Sequence, residues 1–182
     1  MKVAFHQRDP ARMGHPDLED RPSVEEKDRM RNVYRVLAYL VAALVVVQAG
    51  AIAYGVFGLF KWVEGGGTLD QAAFEGDDAG IGGGFGFGLH ITIGYFVIPI
   101  IALLLLIISF FAKVPGGVRW ALFLFLTVVV QTLLAGFAHA VAGIGWLHGM
   151  VALVLFGLAV TAGIRAGRPA PVAVEAADTS VG

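Results

Sequence analysis

Charge is absent from three long stretches of this chain: no Asp, Glu, Lys or Arg occurs from Val36 to Phe60, from Ala79 to Ala112, or from Trp120 to Ile164. Such stretches select lipid as their solvent. A helix crosses the hydrocarbon core with roughly 20 apolar residues, and inside the bilayer every backbone donor and acceptor must be satisfied within the protein. The first stretch has room for one span. The second also holds one, because its opening residues are mostly glycine. The third fits two spans joined by a tight turn. Only 15% of the 182 residues are charged, against about 25% in soluble domains, which agrees with this partition. The expected spans are residues 33–59, 89–112, 119–141 and 146–164, and the predicted fold is all-α: an integral membrane four-helix up-down bundle.

The flanks complete the domain plan. Residues 1–22 are polar, carry Pro10, Pro16 and Pro22, and are expected to form a disordered cytoplasmic tail. Ser23 and Glu26 match a capping box, in which each side chain satisfies a free backbone donor at a helix start, so the bundle region is read as 23–164. Residues 165–182 form a second polar tail. The first 32 residues hold no apolar core of the signal-peptide kind, so the first span is expected to act as its own insertion signal.

Orientation follows from the basic residues. Arg29, Arg31 and Arg35 precede span one, Lys113 and Arg119 bracket the loop between spans two and three, and Arg165 and Arg168 follow span four. Basic residues concentrate on the cytoplasmic side, which places both termini there in a cell membrane. The loop 61–88 has one lysine, Lys61, against Glu64, Asp70, Glu75, Asp77 and Asp78, and belongs outside. Its glycines, notably Gly65 to Gly67 and Gly82 to Gly84, fit no phosphate-binding register and are read as a surface loop. A net charge of −1 gives no bias toward nucleic acid, and the absence of cysteine excludes a disulfide, a thiolate metal site and a covalently attached c-type haem.

Histidines carry the functional signal. His6 and His15 lie in the tail, but His90 opens span two, His139 ends span three and His148 opens span four, all near the outer surface. Taking Gly143-Ile144-Gly145 as the hairpin tip puts His139 and His148 at similar depth. Ionisable groups in membrane helices are costly and face the protein interior. In an up-down bundle spans two and four are diagonal, so His90 and His148 can face each other across the core and offer one imidazole to each side of a flat macrocycle. Gly94 and Ala152, one turn beyond each histidine, leave room for a ring, although small residues also serve plain helix packing. Gln131, Ala135 and His139 share one face of span three, with Gln131 and His139 as further candidates for cofactor contact. A weak repeat supports two similar hairpins: Leu44-Val45-Val46-Val47-Gln48 and Val128-Val129-Val130-Gln131, each followed by a span with a histidine near its start. Zinc or copper held by His90, His139 and His148 is the alternative metal site, and packed histidines without a cofactor remain an open reading.

From Val33 to Ile164 the chain resembles one four-helix half of the heme A synthase family. The resemblance rests on Gln48, on His90 opening span two, on Val130-Gln131 with Leu134-Ala135-Gly136, and on Leu147-His148 opening span four. It implies paired haem-ligating histidines at His90 and His148. Members of that family are two such halves in tandem. Their catalytic half carries Glu three residues before the second-helix histidine, where this chain has Phe87. A basic residue often follows that histidine, where Ile91 stands here, and the outer-loop cysteine pair is missing. A haem-binding bundle can survive these departures, whereas the synthase reaction is not expected.

The leading expectation is a membrane b-type cytochrome or haem-binding accessory subunit, with haem b held by His90 and His148 near the outer leaflet. It would transfer electrons in contact with lipid, quinol or a larger membrane redox complex, with Lys61, Trp62 and Trp146 as propionate donors. The alternative is a cofactor-free four-span protein that assists the assembly or stability of a larger complex. Catalysis is not expected, since no acid within the spans pairs with histidine and Thr92, Ser109, Thr127 and Thr132 form no nucleophile motif.

Overall fold

The computed structural model describes residues 24–70, 73, 81–138 and 140–168. Four helices make up the described chain: α1 (Val24–Glu64), α2 (Gly84–Ser109), α3 (Gly117–Ala138) and α4 (Ala142–Gly167). All four are long and apolar enough to cross a membrane. The protein is therefore a multi-pass membrane bundle of the all-α class. Neighbouring helices in the chain pack on each other, and α1 also packs on α4. This closes the ring and leaves α2 diagonal to α4, as the up-down arrangement requires. One end of the bundle carries Arg31, Arg35, Arg119, Arg165 and Arg168; the other carries His90 and His148.

Each helix buries one stripe. On α1 it runs Tyr34, Ala38, Val41 and Ala42; on α3, Gly117, Ala121, Leu124 and Val128; on α4, Leu155, Ala159, Ala162 and Ala166. These spacings of three and four are one face of a helix. Most large apolar side chains off the stripes, such as Val36, Phe57, Phe96 and Leu153, are exposed, as lipid contact allows. At the arginine end Tyr34 is fully buried, and its hydroxyl donates to the Gly117 carbonyl at 3.1 Å. Arg31 Nε donates to the Ala166 carbonyl at 2.6 Å, satisfying an acceptor in the last turn of α4. Arg165 lies over the Trp120 ring, 5.2 Å from its centroid.

The helix α2 departs from regularity. Residues Ile93–Val97 form a π turn, closed by a bond from Ile98 N–H to the Ile93 carbonyl. The cause is Pro99, which has no N–H for the Tyr95 carbonyl and would press on it in a regular helix. The wider turn inserts one residue, so the buried stripe of α2 runs Gly86, Ile93, Ile98, Ala102, Leu105 and Ser109. The five-residue step from Ile93 to Ile98 keeps both halves of α2 facing the core.

Several boundaries differ from those expected. The helix α2 begins five residues before Leu89, because the glycines at its start can approach α1 closely. A Cβ on Gly86 would meet the Ala51 carbonyl oxygen at 2.5 Å, and one on Gly58 would meet the Gly83 Cα at 2.6 Å. Gly83 itself has φ of 90°, a left-handed conformation that glycine adopts without penalty. The helix α3 ends at Ala138 and α4 begins at Ala142, so Gly143-Ile144-Gly145 is not the hairpin tip but the first turn of α4. Three glycine and isoleucine positions that read as a turn thus remain helical, since lipid offers an open loop no water. Ser23, and with it the capping box, lies outside the described residues, as do the first tail, residues 169–182 of the second, and residues 71–72 and 74–80 of the acidic loop.

Candidate functional site

At the histidine end the buried stripes continue, but with polar residues on them. Gln48 follows Val41 and Leu44–Val45 on α1, and Gln131 follows Leu124 and Val128 on α3. His148 precedes Leu155 on α4 with Ala152 between, and His90 lies between Gly86 and Ile93 on α2. Each helix therefore places one polar side chain on its inward face at one level. His90 stands six positions after the first residue of α2, and His148 stands six positions after the first residue of α4. At about 1.5 Å per residue, both are roughly 9 Å into their helices.

The two imidazoles meet across the bundle, with ring centroids 6.2 Å apart and planes inclined by 64°. Each is held by the neighbouring helix through a reciprocal clasp. In the first hairpin His90 Nδ1 lies 3.2 Å from the Gln48 main-chain oxygen, and Gln48 Nε2 donates to the His90 main-chain oxygen at 3.0 Å. In the second, His148 Nδ1 lies 3.2 Å from the Gln131 main-chain oxygen, and Gln131 Nε2 donates to the His148 main-chain oxygen at 3.0 Å. A carbonyl only accepts, so each Nδ1 carries the proton and each Nε2 keeps a lone pair. Fixing the tautomer through a carbonyl is how proteins orient metal-ligating histidines. The clasps differ in one bond: Gln131 Nε2 also approaches His148 Nε2 at 3.2 Å.

Whether these residues suit a metal-centred macrocycle is a question of separation and room. Metal–imidazole bonds are about 2.0–2.1 Å long, so rings on opposite sides of one ion hold their centres roughly 6 Å apart. The observed separation meets this. The helices α3 and α4 are also less tightly packed at this level. Among the described residues nothing on α3 beyond Val128 and nothing on α4 before Leu155 is fully buried; Gln131, Ala135, His148 and Ala152 are only half-buried. On α3 and α4 the core is solid at the arginine end and loose around His148. The buried amide oxygens of Gln48 and Gln131 have no hydrogen-bond partner. The residues fit a ligand held between two imidazoles.

Other expectations fare differently. Gly94 does stand one turn beyond His90, but its neighbour is Gln48: a Cβ there would come within 2.7 Å of Nε2. Its small size makes room for the clasp. Ala152 is half-buried one turn beyond His148. His139 lies outside the described residues. Among the described residues no three His, Cys, Asp or Glu side chains gather as metal ligands. Trp146 is 73% exposed, two residues from His148 and so on the opposite face of α4. Trp62 packs its ring against Gly67 and Gly82 of the loop, and Lys61 is exposed. The carbonyl acceptors for the histidines were missed from sequence. Backbone groups leave no signature in residue type, although the Gln-to-His repeat marked the right helices.

Fold and site together define a class: a four-span membrane bundle of two hairpins, each with a glutamine–histidine clasp and the histidines paired on its axis. Comparison with protein-family models, with curated proteins and with solved structures finds no match.

Proposed function

We propose that the protein is a membrane b-type haem-binding protein, with His90 and His148 as the two axial ligands. The observation that carries the reading is the pair of inward imidazoles on diagonal helices, 6.2 Å apart at their centroids, each with Nδ1 on a main-chain carbonyl. Haem iron, when bound, supplies a one-electron couple, and two imidazoles leave it no open position, so electron transfer suits the site better than oxygen chemistry. The chain's residues hold both Nε2 lone pairs at one level, and the apolar helices exclude water. The role is electron transfer or service as an accessory subunit of a larger membrane redox complex, with quinol as a candidate donor. The heme A synthase resemblance supports the histidine positions; Phe87, Ile91 and the missing cysteines argue against the synthase reaction.

Orientation belongs to the same proposal. The arginine end faces the cytoplasm, and the histidine end with the acidic loop faces out. With no native cysteine, single-cysteine variants report it cleanly: Thr68→Cys is labelled by an impermeant maleimide on intact cells, and Pro115→Cys only after lysis. The reverse pattern inverts the topology.

The test of haem binding is a reduced-minus-oxidised visible spectrum of the protein purified in mild detergent. Six-coordinate b-type bands are expected, lost or converted to five-coordinate in His90→Ala and His148→Ala. A second reading draws on the clasps themselves, which tie α1 to α2 and α3 to α4 without any cofactor and would serve a structural or assembly subunit. It predicts a colourless protein, destabilised by the same substitutions and co-purifying with a larger membrane complex.

A further inference from the structure

The two halves of the site match in two bonds and differ in one. Both histidines are fixed through Nδ1, and both main-chain oxygens accept from a glutamine amide. Only in the second hairpin does the amide reach the ring: Gln131 Nε2 lies 3.2 Å from His148 Nε2 and 3.0 Å from the His148 main-chain oxygen. Gln48 Nε2 is bonded to the His90 main-chain oxygen alone, with Gly94 packed beneath it. A metal taken up through His148 must displace a hydrogen bond from the lone pair it uses. No matching bond to the His90 ring competes there.

We infer that Gln131 is a positioning residue that makes the two axial positions unequal, with His90 the fixed ligand and His148 the exchangeable one. This rests on the haem-binding reading above. When His148 leaves the metal, its Nε2 returns to the Gln131 amide, and that bond stabilises the open arrangement. A small neutral ligand such as carbon monoxide then takes the position on the His148 side. Gln131→Leu removes the donor but keeps the main-chain carbonyl, so His148 Nδ1 stays held. The substitution also removes the bond to the His148 main-chain oxygen, the same loss that Gln48→Leu causes in the other clasp, so that loss is common to both variants.

The experiment has two arms. In the haem-loaded ferrous protein, a carbon monoxide titration should show affinity lowered in Gln131→Leu by up to about tenfold, the fold-change that one net hydrogen bond of about 1.4 kcal/mol represents. Gln48→Leu, which removes the matching amide from the other clasp, should shift it less than twofold. In the metal-free protein labelled with ¹⁵N-histidine, the His148 Nε2 resonance should move toward the position of an unbonded imidazole nitrogen in Gln131→Leu, and the His90 resonance should not. Gln131→Met, of similar length and without a donor, gives the same two readouts if leucine disturbs the fold. An unchanged His148 resonance, or equal carbon monoxide affinities in all three proteins, overturns the inference while leaving haem binding intact. A wild-type protein that takes up no haem overturns the ligand assignment itself, and the nitrogen resonances still report whether Gln131 holds the ring.

Discussion

Gly94 shows how one missing side chain can carry a site. An added Cβ would come within 2.7 Å of Gln48 Nε2, and a glutamine amide is the mobile end of a flexible side chain. Alanine at 94 is therefore expected to push the amide off the His90 carbonyl instead of moving the helices. The cost is one interhelical hydrogen bond, about 0.5–1.5 kcal/mol, measured as lowered stability in detergent denaturation. In a Gln48→Ala background the same substitution should cost close to nothing, because contacting residues couple. Equal costs in both backgrounds would mean that Gly94 serves helix packing and not the clasp. Glycine was legible at this position as a permissive residue; the atom it accommodates was not, since Gln48 is distant in sequence and arrives only when α1 and α2 pack.

At the scale of elements, α2 is the informative helix. Its π turn adds one residue between Ile93 and Ile98, and that residue sets the rotation of His90 relative to Ile98, Ala102 and Leu105. Deleting Phe96, which is exposed within the turn, should remove the extra residue, leave Pro99 to be accommodated by a kink, and keep both buried faces aligned. Helix content should then survive, and with it the bis-histidine spectrum that the proposed function predicts. Deleting Leu103, also exposed but in the regular part, should rotate one half of the stripe by about 100° and, on the proposed haem reading, abolish the spectrum. If both deletions behave alike, the π turn has no part in aiming His90. Pro99 signals a disturbance in the sequence, yet kink, break and π turn all satisfy a missing N–H. Which one forms depends on the surfaces the two halves must bury.

Across the whole molecule the packing is graded. The arginine end has a continuous core around Tyr34, Val41, Leu105 and Leu124, whereas α3 and α4 bury nothing fully between Val128 and Leu155. Regions with few buried contacts open more readily. In the metal-free protein, amides of residues 131–138 and 142–150 should exchange hydrogen faster than those of 117–128 and 155–166, as read by mass spectrometry. On the proposed function, added haem should slow the first set and leave the second nearly unchanged. Uniform protection along α3 and α4 would contradict the loose histidine end. The glycine contacts of α1 with Gly83 and Gly86 hold the start of α2 in place on the opposite side, so the loose region is confined between the hairpins.

The number of spans, their polarity pattern and the two histidines that meet across the bundle were singled out from sequence, because exclusion of charge from lipid acts on each residue by itself and needs no knowledge of its neighbours. Helix ends were less legible: Gly143-Ile144-Gly145 reads as a turn by propensity but is helical, since the surroundings outweigh a glycine's preference. What only the tertiary structure decided is which atoms meet. The clasps join Gln48 to His90 and Gln131 to His148 through main-chain carbonyls that every residue type carries alike. Their pairing depends on the depth, rotation and spacing of four packed helices, quantities that no single stretch of the chain contains.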